Sequence, residues 1–123
     1  MRQANIQLFT EKEEKFIELL TGTGTKRTTA TTLVFLAGTT EASSHEIERR
    51  TNLRQSEVSI AMKEMAERGW VRTREVQREN KGRPVKIYAL ALPVSEILEC
   101  IWKDKVNDLK KQLTLINRMK EYC

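Results

Sequence analysis

Apolar residues recur every three or four positions along several stretches of the chain, which is the spacing of one face of an α-helix. A first helix is predicted over Glu11 to Leu20, where Thr10 and Glu13 can form a capping box. Thr28 to Ala37 is predicted as a short buried helix ending at Gly38, with a strand as the alternative. The N-terminal third of the chain is therefore expected to be largely helical.

Two more helices, separated by a tight turn, are predicted in the middle of the chain. Ser43 and Glu46 can form a second capping box, opening a helix of about two turns through Arg50. The turn 51–53 follows, and then a helix over 54–68. Its apolar positions recur at helical spacing: Val58, Ala61, Met62 and Met65. At about 100° per residue, four other side chains are expected to face outward: Ser56, Ser59, Ile60 and Lys63.

The C-terminal half of the chain is predicted to form a β-hairpin and one long helix. Residues 70–77 and 85–91 are β-prone, and the polar stretch between them contains Gly82 and Pro84. After Pro93, the long helix is predicted over 94–121. It carries an apolar stripe, in which we count Leu98, Trp102, Val106, Leu109, Leu113 and Ile116. Little of the chain remains to cover this stripe, so we expect it to form a dimer interface, with packing onto the N-terminal helices as the alternative.

A short helix, a tight turn, a second helix and a two-stranded hairpin follow each other in the order of a winged helix-turn-helix. The expected fold class is α+β, mostly α, with an N-terminal helix and a long C-terminal dimerisation helix. The expected divisions are an N-terminal helical extension and loop over 1–25, the winged helix-turn-helix over 26–92 and the dimerisation helix over 93–123.

Composition and charge narrow the classes of function. With 123 residues, of which 39% are hydrophobic and 32% charged, the chain has room for one folded domain. The formal net charge is +5, and residues 72–86 alone contribute +4, because this segment contains six basic and two acidic residues. This concentration favours an acidic partner. A solvated edge hairpin protected by its charges is the alternative explanation.

Several other classes of protein are not indicated. The longest apolar runs have five residues, far short of a membrane span, and no secretory signal is recognisable, so a cytoplasmic location is expected. Cys100, Cys123 and His45 lie far apart in the sequence and lack the spacing of metal ligands. A thiol sensor is the remaining functional alternative for the two cysteines. The stretch 22–28 does not satisfy the phosphate-loop pattern. No metal, cofactor or enzymatic activity is predicted.

The predicted arrangement suits duplex DNA. The outer face of helix 54–68 can enter the major groove, while the basic tip of the wing, residues 78–84, can reach the backbone or a neighbouring minor groove. The candidate DNA-binding residues are Arg54, Gln55, Ser56, Ser59, Ile60, Lys63, Lys81, Arg83 and Lys86.

Two segments resemble a known family. TNLRQSEVSIAMKEMAERGWV (51–71) is similar to the helix-turn-helix of MarR-like and TrmB-like winged-helix regulators, and KGRPVKIYAL (81–90) resembles the wing of archaeal members. The resemblance implies a homodimeric transcription regulator that reads DNA with its second helix. Arg54 stands where the pattern favours a serine cap, and it could contact a phosphate instead. Ile60 stands where the pattern favours a polar or basic reader; it could contact a thymine methyl group or another subunit, or be a lone surface residue.

The expected partners are double-stranded DNA and a second copy of the chain, with a small-molecule effector left open. Two other functions remain as alternatives. One is a nucleoid-type architectural protein that binds DNA with little sequence preference. The other is a winged helix that serves only as a protein-interaction module.

Overall fold

The computed structural model describes residues 9–77 and 84–123. The chain divides into two compact units, Met1–Ala91 and Leu92–Cys123. Within the described part of the first unit, the helices are α1 (Glu11–Gly22), α2 (Arg27–Ala37), α3 (Ser44–Thr51) and α4 (Gln55–Glu67). The strands are β1 (Ala42–Ser43), β2 (Val71–Gln77) and β3 (Pro84–Leu90). The second unit consists of α5 (Val94–Met119) and a 3-10 turn (Lys120–Tyr122).

The predicted capping boxes explain where two of the helices begin. At α1, the Thr10 hydroxyl accepts a hydrogen bond from the Glu13 amide (3.1 Å), and the Glu13 carboxylate accepts one from the Thr10 amide (2.9 Å). At α3, Ser43 and Glu46 make the same reciprocal pair, at 3.1 and 3.4 Å. Each box satisfies two amides that the start of a helix would otherwise leave without a partner.

The threonine-rich segment forms the helix α2 and not the alternative strand. The Thr32 hydroxyl donates to the carbonyl of Thr28 one turn earlier (2.8 Å), and the Thr29 hydroxyl donates to the Glu64 carboxylate on α4 (2.9 Å). Both threonines are buried, and these bonds supply the partners that buried hydroxyls require. Helix α2 can therefore lie inside the first unit despite its polar composition.

The core of the first unit lies where α2, α3 and α4 meet. Five of its side chains are almost completely shielded from solvent: Leu33, Leu36, Ile47, Val58 and Met65. The three-stranded antiparallel sheet has the order β1-β3-β2, with Tyr88 of β3 opposite both Ala42 and Thr73. Strand β1 was not predicted, since two residues are too short to show a strand pattern.

This architecture confirms the predicted fold class, a mostly helical α+β winged helix-turn-helix with an N-terminal helix and a long C-terminal helix. The long helix ends two residues earlier than predicted, and the 3-10 turn follows it. Within residues 9–77 and 84–123, no helix combines the length and apolar character needed to cross a bilayer. The predicted divisions at residues 25/26 and 92/93 stay predictions.

Candidate nucleic-acid interface

The turn between α3 and α4 has a defined backbone conformation. Helix α3 ends at Asn52, whose φ of 61° places it in the left-handed region. Asparagine tolerates this conformation better than most residues with a side chain. Helix α4 begins at Gln55, three residues after Asn52, and the Glu57 carboxylate accepts a hydrogen bond from the backbone amide of the cap residue Arg54 (2.9 Å). The chain can thus reverse between the two helices in three residues.

Arg54 occupies the cap position of α4 without capping it through its side chain. A guanidinium group has only hydrogen-bond donors, so it cannot accept from the free amides of the first turn. Its side chain is exposed. The guanidinium of Arg54 is therefore exposed at the N-terminal end of α4, and its contact with a phosphate stays a prediction.

The two faces of α4 differ as predicted. Its inner face is buried, and it consists of Val58, Ala61, Met62 and Met65. The candidate residues of its outer face and N-terminus are all exposed: Arg54, Gln55, Ser56, Ser59, Ile60 and Lys63. The first turns of α4 therefore expose mostly polar side chains on one side, while the apolar side of the helix is buried in the core.

An open groove of about 630 Å³ lies in front of the N-terminal ends of α3 and α4 and beside β3. Its lining includes His45 and Glu48 from α3, Gln55 and Ser59 from α4, and Lys86 and Tyr88 from β3. The candidate residues Gln55, Ser59 and Lys86 are therefore brought together in one groove. Lys81 and Arg83 lie outside the described residues.

His45, Glu48 and Tyr88 are groove residues that the sequence analysis did not select. The sequence could have indicated His45 through its place in the first turn of α3, the helix that precedes α4. Tyr88 is buried, and this burial raises the pKa of its phenol above the usual value. A phenol hydroxyl can both donate and accept a hydrogen bond.

The apolar stripe of α5 is exposed along its length. Five of the six predicted residues are exposed, and Val106 is half-buried. Fractional exposure is 63% for Trp102, 56% for Leu109 and 50% for Leu113. Ile97 and Ile101 are the buried side chains of this helix, and they were not part of the predicted stripe.

Comparison with known proteins places this fold in a class. Residues 23–80 match the model of the MarR family. TrmBL2, an archaeal chromatin protein described as showing a novel mode of DNA binding, superposes with a TM-score of 0.69 at 16% identity, over 89% of this chain and 39% of TrmBL2. The chain thus spans about two fifths of the length of TrmBL2.

A second solved structure is a possible transcriptional regulator from Methanosarcina mazei Go1, with a TM-score of 0.60 at 15% identity over 82% of this chain and 85% of that one. No curated protein gives a significant match. Residues 23–80 are thus similar to the MarR family, and the two solved structures share the winged-helix fold of this chain. The predicted resemblance is therefore confirmed.

Proposed function

We propose that the chain is a DNA-binding transcription regulator that acts as a homodimer and has no catalytic step. One observation carries the proposal: α4 buries its apolar side and leaves its other side exposed and mostly polar, in a winged helix of a regulator family. An α-helix with side chains is about 10–12 Å wide, and the major groove of B-DNA is about 12 Å wide. The outer face of α4 can enter that groove.

The distribution of basic residues supports contact with the phosphate backbone of DNA. Lys63 on α4 and Lys86 on β3 are exposed, and Arg54 stands at the start of α4. The wing 78–84 contains three more basic residues, among them Lys81 and Arg83. Contacts between such cations and phosphates position a protein on duplex DNA without specifying its sequence.

The exposed stripe on α5 supports self-association. From Trp102 to Ile116 its members are spaced by four, three, four and three residues, which is the seven-residue repeat of a coiled-coil seam. Such a seam on a 26-residue helix is a typical surface for a matching helix. A second copy of α5 satisfies this requirement, and a two-fold dimer addresses half-sites about 34 Å apart on a palindromic target.

Selection of bound sequences from a random duplex pool tests the proposal. We expect enrichment of a palindrome, at least 10³-fold tighter binding than to random sequence, and loss of binding in Lys63→Glu. Lys12→Glu on α1 is the matched control, because it changes the net charge equally on an exposed residue of another helix. Failure of the chain to bind any duplex refutes DNA binding and favours the protein-interaction module.

Sedimentation equilibrium tests the dimer. Leu109→Glu with Leu113→Glu is expected to convert a dimer to a monomer, because it buries two charges in the proposed seam. Thr114→Glu, on an exposed position beside the stripe, is expected to leave the dimer intact. A wild-type chain that is monomeric at micromolar concentration contradicts the dimer proposal.

An architectural DNA-binding function is the second candidate. The fold similarity to TrmBL2, a chromatin protein, favours it. The two candidates differ in the ratio of specific to random-sequence affinity, which the same selection measures. A ratio near one supports the architectural function, and a ratio above about 10³ supports the regulator.

A further inference from the structure

The outer face of α4 carries one large aliphatic side chain. Ile60 is 58% exposed, whereas Val58 and Met62 on the same helix are almost completely buried. Among the described residues, the other exposed large hydrophobic side chains lie outside the helix-turn-helix, on α1, β2, α5 and the 3-10 turn. The exposed isoleucine is therefore a local exception on the surface proposed to meet DNA.

The immediate neighbours of Ile60 make its side chain prominent. Ser56 lies one turn before it and Ser59 directly before it, and both are exposed small residues. Lys63 follows one turn later and carries its charge on a flexible stem. Because the two serines are short, the aliphatic end of Ile60 extends beyond them, and a groove surface can approach it closely.

Isoleucine gives an exposed helix position no structural advantage. Its branched Cβ restricts rotation against the preceding turn, so alanine or lysine would favour the helix more. Packing in the core does not explain Ile60 either, since the inner face is already filled by other residues of α4. An external apolar contact is the use that remains for this side chain on this face.

The major groove offers one apolar feature, the C5 methyl group of thymine. Recognition helices contact base edges mainly through their N-terminal residues, and Ile60 is the sixth of the 13 residues of α4. We infer that Ile60 is a specificity-determining residue that packs against a pyrimidine 5-methyl group in each half-site. This inference rests on the proposed DNA-binding function and names the base that α4 selects.

The size of the effect follows from the area of one methyl group. Burying a single CH₂-sized group away from water changes affinity about fourfold. A symmetric dimer makes the contact twice, so removing both methyl groups is expected to weaken binding about 15-fold. The hydrogen-bond donors and acceptors of the base pair are unaffected by removal of the methyl group.

Deoxyuridine isolates the methyl group, because it replaces thymine without altering the hydrogen-bonding pattern. The probe is the duplex enriched from the random pool, with thymines replaced one position at a time in both half-sites. We expect one position at which replacement weakens binding of the wild type about 15-fold. In Ile60→Ala, the same replacement is expected to leave affinity unchanged. Replacement of a thymine outside the enriched half-sites is the DNA control. Leu19→Ala, at a similarly exposed position on α1, is the protein control.

Three outcomes overturn the inference while leaving DNA binding intact. The first is an enriched site without thymine, and the second is a wild-type chain whose affinity does not change with deoxyuridine at any position. The third concerns the variant. If Ile60→Ala keeps the full deoxyuridine effect, another residue contacts the methyl group and the assignment to Ile60 is wrong. A chain that binds no duplex refutes the proposed function together with this inference. Because Ile60 is exposed, Ile60→Ala is expected to melt like the wild type, and a melting curve verifies that it folds.

Discussion

Gly69 follows α4 in a conformation that favours glycine, and the cost of replacing it can be calculated. Its φ is 79°, its amide donates to the carbonyl of Ala66 (3.0 Å), and the amide of Trp70 donates to the carbonyl of Met65 (2.9 Å). These two bonds form a Schellman motif, whose accompanying apolar contact is expected between Met65 and Trp70, both buried. The motif fixes the direction in which the chain leaves α4 for β2.

Gly69→Ala is expected to destabilise the first unit by about 1–2 kcal/mol, the cost of a left-handed conformation for a residue with a Cβ. No atom lies within 4 Å of the position that the new Cβ would occupy, so no steric clash adds to this value. For a unit of this size, each kcal/mol lowers the melting temperature by about 4–8 °C.

Two further variants separate backbone strain from a general effect of mutating glycine. Gly69→Asn is expected to lose less stability than Gly69→Ala, because asparagine tolerates the left-handed region. Gly22→Ala is expected to raise stability by up to about 1 kcal/mol, since Gly22 is the last residue of α1 and open space surrounds the position that the new Cβ would occupy. Chemical denaturation of all three variants gives the values. Equal stability of wild type and Gly69→Ala would refute the assigned backbone strain.

Three other measurements follow from the structure. Thr29→Val is expected to lower the free energy of unfolding by about 1 kcal/mol more than Lys26→Ala does. Thr29 is buried where it bonds the Glu64 carboxylate, whereas Lys26 contacts the same carboxylate at 3.4 Å from a largely exposed position. Equal losses would contradict this ranking. Met65→Ala is expected to cost about 2–5 kcal/mol by opening a cavity in the core, and a loss below 1 kcal/mol in a denaturant titration would contradict close packing there.

The third concerns pH. The folded-state pKa of Tyr88 is raised, so the unfolded chain loses the phenolic proton first and the free energy of unfolding falls as pH rises above about 10. Tyr88→Phe is expected to lose less stability than the wild type between pH 8 and pH 11. Identical losses would refute the role of burial.

The helices of this fold could be predicted because their ends are encoded in a few adjacent residues. Thr10 with Glu13 and Ser43 with Glu46 are complete signals within four positions, and Gly69 marks the end of α4. The threonine-rich α2 was ambiguous locally. As a helix it places the buried Thr29 within hydrogen-bond distance of Glu64, which lies 35 positions further along the chain. A periodicity analysis has no access to such a partner.

The candidate site was predicted in part for the same reason. The outer face of α4 follows from helical geometry, so Ser56, Ser59 and Lys63 could be selected without a structure. The groove required knowledge of tertiary packing, because Tyr88 and His45 are brought to α4 by the sheet and by α3. Strand β1 is defined only by its pairing with β3, which two residues cannot signal in isolation.

The position of β2 has a consequence for how the chain remains dispersed. In the order β1-β3-β2, β2 is one of the two outer strands of the sheet, and Arg72, Arg74 and Glu75 on it are exposed. Arg74 also holds Glu41 across the sheet, with its closer contact at 2.7 Å. Charged side chains on an outer strand oppose addition of a foreign strand. Recruitment of further chains into cross-β aggregates is therefore discouraged at this border.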